Sequence, residues 1–190
     1  MNIKRTLYLL LAVFLSFVPS LRSQDVNKKI LKLISENQKS NYDTALLNGQ
    51  DFDPLIIFAS KGRSKLYKSN NISIGKPGQY ILLEGWTPSN GNYSGIIFCD
   101  SIAIVYRNSR SVGWHILKIP ISNKESISSF SGISRHVIER VSTWDIDYIN
   151  HLKKVVGSTV SDGSNFIASK IDITDKNPPV IQTIYFYEFR

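Results

Sequence analysis

Apolar and polar positions along the chain repeat with two different periods, and each period predicts its own kind of element. Close to the start, apolar residues between Val26 and Ile34 recur at helical spacing behind Asp25, which can cap a helix. This pattern predicts a helix over residues 25–39. From Pro54 onward the chain changes to short β-branched and aromatic runs bounded by Gly, Pro, Asn and Ser, which is typical of strands.

Eight such runs are predicted as strands, and successive antiparallel pairing is the simplest arrangement for them. They are Leu55–Ser60, Ser64–Lys68, Gln79–Trp86, Gly95–Cys99, Ile102–Arg107, Gly113–Ile119, Asn165–Ile173 and Val180–Phe189. The last run is almost entirely apolar or aromatic on both faces. This favours a central position in the sheet over an edge.

Helical spacing returns after Ile133 and predicts a helix near residues 134–156. Its apolar stripe begins at Val137, and Gly157 provides a glycine stop. The pattern leaves open whether this is one bent helix or two separate ones, the second capped by Ser142.

The order of these elements predicts an α+β domain. A largely antiparallel sheet carries the N-terminal helix and the helix near 134–156 on one face, because regular β-α-β alternation is missing. The alternative is a β-sandwich with peripheral helices. Because neither an internal repeat nor a long linker divides the chain, residues 24–190 are predicted to form a single domain.

The N-terminal residues have the layout of a secretory signal peptide. Lys4 and Arg5 precede an apolar run over residues 7–18, which is followed by proline and small residues. That run is shorter than the ~20 residues needed to cross a bilayer as a helix. Cleavage at the end of residues 1–23 is therefore expected, giving a secreted or periplasmic protein without a stable transmembrane anchor. An uncleaved anchor is the alternative, because Leu21 occupies a position where small residues are usual.

The charge balance favours anionic partners over nucleic acid. The formal net charge of +8 falls to +5 once Lys4, Arg5 and Arg22 are removed with the signal peptide. A modest positive charge attracts anionic surfaces such as phospholipid or acidic polysaccharide. Nucleic acid is not an expected partner, since no basic run is interleaved with aromatic residues.

Cys99 is the first candidate for catalysis, as the one thiol in the chain. No intramolecular disulfide can form, and a cysteine nucleophile would need an imidazole from His115, His136 or His151. However, Cys99 ends the apolar run 96–98, where a free cysteine usually behaves as a small buried hydrophobe.

Two further clusters suggest ion binding, and each also has a simpler interpretation. His136 and Glu139 lie three residues apart on the predicted helix, where a metal could bridge them, but two ligands do not make a site. The segment 61–65, Lys-Gly-Arg-Ser-Lys, is predicted as a turn between two strands that could hold phosphate or sulfate. The simpler interpretations are a solvated helix face and a solvated turn, so no metal or other cofactor is expected.

The loop from Trp86 to Tyr93 is the best binding candidate, because its aromatic rings flank short polar side chains. The predicted contact surface consists of Trp86, Asn90, Asn92, Tyr93 and Trp114. In the simpler interpretation, Trp86 and Tyr93 only pack the ends of neighbouring strands.

The leading functional hypothesis is an exported, non-enzymatic binding or interaction protein, with a glycan, an anionic surface or a protein as its partner. One alternative is a hydrolase that uses Cys99 with a histidine. Another is a structural subunit of a surface or periplasmic assembly, which would expose an edge strand or the N-terminal helix.

Overall fold

A computed structural model describes residues 27–42, 53–69, 74–87, 91–109, 113–154 and 163–188. Six strands lie in these ranges: β1 (Gly78–Thr87), β2 (Asn92–Cys99), β3 (Ile102–Ser109), β4 (Gly113–Pro120), β5 (Ser164–Ile173) and β6 (Val180–Glu188). Six of the eight predicted strands are thus confirmed. The predicted signal peptide, residues 1–23, lies outside the described residues.

The six strands form one sheet in the order β4-β3-β2-β1-β5-β6, and every neighbouring pair is antiparallel. Strands β1 to β4 follow one another as hairpins, with left-handed backbone at Gly91 and Asp100 in two of the turns. Strand β1 is central, and its Leu82 lies between Ile97 of β2 and Ser169 of β5.

Two helices cover one face of the sheet: α1 over residues 27–40 and α2 (Asp53–Lys68). The helix predicted for residues 25–39 is confirmed over its described part. Its buried residues Ile30, Leu31 and Ile34 join a core that includes Leu82 and Tyr185 of the sheet. Burial of this apolar stripe attaches the helix to the sheet.

Helix α2 corrects the sequence-based prediction of two strands over Leu55–Ser60 and Ser64–Lys68. In the structure, Leu55, Ala59 and Leu66 are fully buried on one side of a continuous helix. The run of β-branched and aromatic residues at 55–58 was typical of a strand, but burial of this face decides the conformation. Gly62 does not break the helix.

The other face is covered by α3 (Lys124–Ser131), α4 (Arg135–Ser142) and α5 (Ile146–Lys154). Their buried residues pack in a second core against residues of all six strands. Helix residues of this core include Ile127, Val137, Ile138, Val141 and Ile149. The side chains of Asn123 and Ser134 accept hydrogen bonds from backbone N–H groups in the first turns of α3 and α4, respectively.

The helical segment near 134–156 consists of two helices, one of the two arrangements that the sequence left open. The chain breaks at Trp144, whose φ of 53° is left-handed. Asp145 then caps α5, with its Oδ1 accepting from the N–H of Tyr148 at 3.0 Å. The cap is therefore Asp145 and not Ser142. Residues 155 and 156 of the predicted helix lie outside the described residues.

The α+β class with an open antiparallel sheet is confirmed, but the helices lie on both faces and not on one. The physical reason is visible in β1, where Ile81, Leu82 and Leu83 are all buried although successive side chains point to opposite faces. A strand that is apolar on both sides needs cover on both sides.

Strand β6 is at an edge of the sheet, which corrects the prediction of a central position. Its two apolar faces are covered by helices, since Phe186 lies in the α3–α5 core and Tyr185 in the α1–α2 core. The Tyr185 hydroxyl also donates to the Gln38 carbonyl at 2.6 Å, and Asn37 Nδ2 donates to the Ile181 carbonyl at 3.2 Å. Among the described residues, no helix is long and apolar enough to cross a membrane.

Candidate functional site

The predicted aromatic contact surface is divided between the two faces of the sheet. Trp86, Tyr93 and Trp114 lie on the face covered by α1 and α2, whereas Asn92 lies on the other. Asn90 lies outside the described residues.

Tyr93 is not available as a surface ring. It is fully buried, with Trp114 edge-on at a centroid distance of 5.8 Å and Phe58 of α2 stacked at 6.2 Å. Trp86 is half-buried against the same core, and its buried Nε1 has no hydrogen-bond partner among the described residues. Because α2 lies over these rings, Trp86 and Tyr93 pack the ends of neighbouring strands, as in the simpler interpretation.

Beneath α2, the carboxylate of Glu84 on β1 accepts hydrogen bonds from side chains of both helices and of two other strands. Arg63 Nη1 donates to both Glu84 oxygens, with 2.6 Å to Oε1, and Gln38 Nε2 donates to Oε2 at 2.8 Å. The hydroxyls of Tyr93 and Tyr106 donate to Oε1 at 2.9 and 3.1 Å. We call these five residues the Glu84 centre.

Every member of the Glu84 centre is buried. Burial alone would lower the pKa of the Arg63 guanidinium, but the Glu84 carboxylate raises it overall, with smaller contributions from the two tyrosines. Burial first and Glu84 second raise the pKa values of Tyr93 and Tyr106 well above the ordinary value. The Glu84 centre is therefore a buried part of the structural core.

Residues 61–65 were predicted as a turn, either solvated or able to hold an anion, and the structure corrects that conformation. The segment is helical, and the Arg63 guanidinium is neutralised by a carboxylate of the same chain. Gly62 has a packing role, because a Cβ there would lie 2.8 Å from ring atoms of both Tyr93 and Tyr106. Glycine thus lets the helix approach the two rings.

A small polar pocket opens on the opposite face, where β1 and β3 end and β2 and β5 begin. It encloses about 160 Å³ and is called here the Arg107 pocket. Its polar lining residues are Thr87, Asn92, Ser94, Arg107, Ser131 and Ser164. Asn92 is the member of the predicted contact surface that lies here.

Hydrogen bonds hold the hydroxyl groups of this pocket in place. Ser94 donates to the Ser131 carbonyl, and the hydroxyls of Thr87 and Ser164 lie 3.0 Å apart across β1 and β5. Since a hydroxyl can donate once and accept twice, these groups keep further capacity for a ligand.

Arg107 supplies the charge of the pocket. Its Nη1 donates to the Phe130 carbonyl at 3.3 Å, and its buried Nε has no hydrogen-bond partner among the described residues. Within the described part of the chain it forms no ion pair, in contrast to Arg63. An anchored guanidinium without a carboxylate partner is suited to bind an anion.

Two glycines shape the walls of the Arg107 pocket. A Cβ at Gly85 would lie 2.6 Å from Cε1 of Phe166, so glycine leaves room for that ring. Gly132 ends α3 with a left-handed φ of 71°. This turn places Ser131 and Ile133 at the wall.

The structure does not bring Cys99 together with a histidine. Cys99 belongs to the α1–α2 side of the sheet, whereas His115 points to the α3–α5 side, and α4 and α5 carry His136 and His151 there. Burial first, and then the Asp100 carboxylate, raise the pKa of the Cys99 thiol, partly offset by Lys118. A raised thiol pKa is the opposite of what a cysteine nucleophile requires.

His136 and Glu139 have other partners than a metal. Glu139 accepts a hydrogen bond from Arg135 Nε at 2.7 Å, which lowers the pKa of its carboxyl group. The His136 ring lies edge-on to Tyr148 at 5.0 Å. Among the described residues, no cluster of three His, Cys, Asp or Glu side chains is arranged to hold a metal ion.

Sequence reasoning missed the Arg107 pocket, although one signal pointed to it. Arg107 shares its strand face with the buried Ala103 and Val105, so a charge occupies a position where an apolar residue is expected. The partners from β5 and the α3–α4 turn are distant in sequence and have no common spacing. Neither a protein-family model nor a curated protein matches the sequence.

Proposed function

We propose that this chain is an exported binding protein without catalytic activity, and that the Arg107 pocket takes a small anionic ligand that carries hydroxyl groups. An acidic monosaccharide is the model ligand. The observation that carries the proposal is the Arg107 guanidinium, which lines the pocket and whose buried Nε has no hydrogen-bond partner in the described part of the chain.

The chemistry of the pocket supports this ligand class. A guanidinium pairs with a carboxylate through two parallel hydrogen bonds, and the surrounding hydroxyls match the hydroxyls of a sugar. The volume of about 160 Å³ is below the ~300–1,000 Å³ of sites for drug-sized molecules, so the ligand is small. The net charge of +5 that remains once residues 1–23 are removed favours the approach of anions.

Calorimetric titration with glucuronate and, as the neutral counterpart, glucose tests the proposal. We expect glucuronate to bind at least about tenfold more tightly, the effect of roughly 1.4 kcal/mol from one charge-assisted pair. Arg107→Gln removes this preference, whereas Arg135→Gln, which changes an exposed arginine on α4, leaves it unchanged. Equal binding of both sugars, or binding of glucuronate that is indifferent to Arg107→Gln, refutes the proposal.

Export is tested separately. Expression of the full chain in a Gram-negative host, followed by mass spectrometry of the periplasmic fraction, should find a protein that begins at Gln24. Full-length protein confined to the cytoplasm would refute export, and full-length protein in the membrane fraction would support the uncleaved anchor.

Assembly into a larger structure is a second candidate function, favoured by one observation. Strand β4 is an edge of the sheet, and its Leu117 is 46% exposed. An open edge can pair with a strand of another chain. Sedimentation velocity at rising protein concentration should then detect oligomers that Leu117→Lys abolishes, and a monomer at every concentration would exclude this candidate.

A further inference from the structure

The two helical layers of the molecule differ sharply in charge. Helices α1 and α2 contain eight basic residues and two acidic ones, whereas α3, α4 and α5 together contain five basic residues and three acidic ones. The eight are Lys28, Lys29, Lys32, Lys39, Lys61, Arg63, Lys65 and Lys68. The α1–α2 layer is therefore the cationic side of the protein.

A groove of about 200 Å³ runs between α1 and α2 in this layer, and we call it the interhelical groove. Leu31 and Tyr67 give it apolar walls, while Lys28 and Lys32 lie at its rim with exposed side chains. An apolar groove with cations at its rim matches a molecule that combines an apolar chain with an anionic head.

Arg63 also lines this groove, and one of its donors is unused. The side chain is buried, Nη1 is held by Glu84, and Nη2 donates to Ser35 Oγ at 3.1 Å. Its Nε is buried, and no described residue accepts a hydrogen bond from it. A buried N–H without an acceptor costs free energy, and an oxygen atom from a ligand would remove that cost.

We propose that the interhelical groove binds the head group of a single-chain anionic amphiphile, with its acyl chain against Leu31 and Tyr67. The head group is a carboxylate or a phosphate, which the same cations recognise. Lys28 and Lys32 attract the head group, and the Nε–H of Arg63 donates a hydrogen bond to one of its oxygen atoms. This site lies on the opposite face of the sheet from the Arg107 pocket, so it is independent of the proposed function.

Three probes with a chain of eight carbons test the proposal: octanoate, octyl phosphate and octyltrimethylammonium. Calorimetric titration should detect 1:1 binding of one or both anions and none of the cation. Binding of octanoate alone assigns the head group as a carboxylate, and binding of octyl phosphate alone assigns it as a phosphate. Equal binding of all three probes, or no binding of either anion, overturns the proposal.

Variants at the rim locate the binding site without touching the buried Arg63. Lys28→Glu with Lys32→Glu should weaken binding of the anion about tenfold, as expected for two exposed charges reversed. The matched control, Lys29→Glu with Lys39→Glu, makes the same charge change on α1 at positions that do not line the groove. An equal loss in both double variants overturns the groove in favour of general attraction by the cationic layer.

A substitution that fills the interhelical groove tests the apolar part of the site. Ser64→Phe places a ring in the groove at an exposed position of α2, and it should abolish binding while circular dichroism stays unchanged. Unchanged affinity in Ser64→Phe contradicts the groove. Binding to vesicles of anionic phospholipid with no binding of the monomeric probes would likewise overturn it and assign the layer to membrane surfaces.

Discussion

Arg63 and Glu84 face each other across the boundary between α2 and β1, with side chains 3% and 0% exposed. Among the described residues, neither Arg63 nor Glu84 forms an ion pair with any other residue. A buried ion pair of this kind is costly to break from one side, because the remaining charge has no solvent to stabilise it.

Glu84→Gln should therefore destabilise the protein by about 3–5 kcal/mol, as removal of one partner of a buried pair does. Urea unfolding followed by tryptophan fluorescence measures the change. Glu139→Gln is the control, since it breaks the exposed pair with Arg135 and should have little effect. The double variant Arg63→Met with Glu84→Leu should be more stable than Arg63→Met or Glu84→Leu alone, because no unpaired charge remains buried; equal or lower stability would contradict the cost assigned to the unpaired charge.

Gly62→Ala should lower stability even though alanine is the better helix former by about 1 kcal/mol. The added Cβ would lie 2.8 Å from the rings of Tyr93 and Tyr106, which are fixed by Glu84 and cannot move away. We expect a net loss of about 1–3 kcal/mol in urea unfolding, the usual range for overpacking. Ser60→Ala on the exposed side of the same helix should be neutral or slightly stabilising, and a similar gain in Gly62→Ala would contradict the packing described.

The two tyrosines of the Glu84 centre should make the fold sensitive to alkali. Their pKa values are well above the ordinary value of 10.0 because of burial and the Glu84 charge. The unfolded chain releases these protons near pH 10, so their contribution is complete below that pH and is lost as the pH rises above it. Unfolding free energies at about pH 8 and about pH 11 should differ less in Tyr93→Phe than in the unmodified protein. Tyr67→Phe, outside the centre, should behave like the unmodified protein.

Cys99 should react slowly with iodoacetamide at neutral pH. Burial and the Asp100 carboxylate raise the pKa of its thiol above the ordinary value, so little thiolate is present at neutral pH. The rate should be lower than in the urea-unfolded chain. Asp100→Asn should raise it, because asparagine keeps the left-handed turn while removing the charge. Rapid alkylation at pH 7 would reopen the hydrolase hypothesis.

Most of the sheet could be predicted from the sequence, since its strands are short β-branched runs that end at glycine or polar turns. Helix α2 could not, because the run from Leu55 to Phe58 has strand-like residues and its burial depends on rings supplied by β2 and β3. The burial of Glu84 could not be predicted either, because in the sequence it resembles an ordinary polar residue of a strand. Its partners Gln38, Arg63 and Tyr106 lie 46, 21 and 22 residues away.

The candidate sites could not be predicted from the sequence either, because they depend on which elements meet in the fold. An aromatic loop is visible in a sequence, but only the strand register reveals that Tyr93 points under a helix and Asn92 away from it. The Arg107 pocket and the interhelical groove are each lined by residues from separate elements, so no local spacing in the sequence predicts them.

The order of the strands also determines how the molecule folds. The meander β1–β4 needs only neighbouring hairpins, but β5 must pair with β1, and Trp86 and Asn165 meet across three intervening strands and three helices of sequence. Closing such a long loop has a high entropic cost and is therefore slow, whereas local hairpins form much sooner. We therefore expect the docking of β5 onto β1 to limit the folding rate, with the exposed edge of β1 as the surface most prone to aggregate until that step is complete.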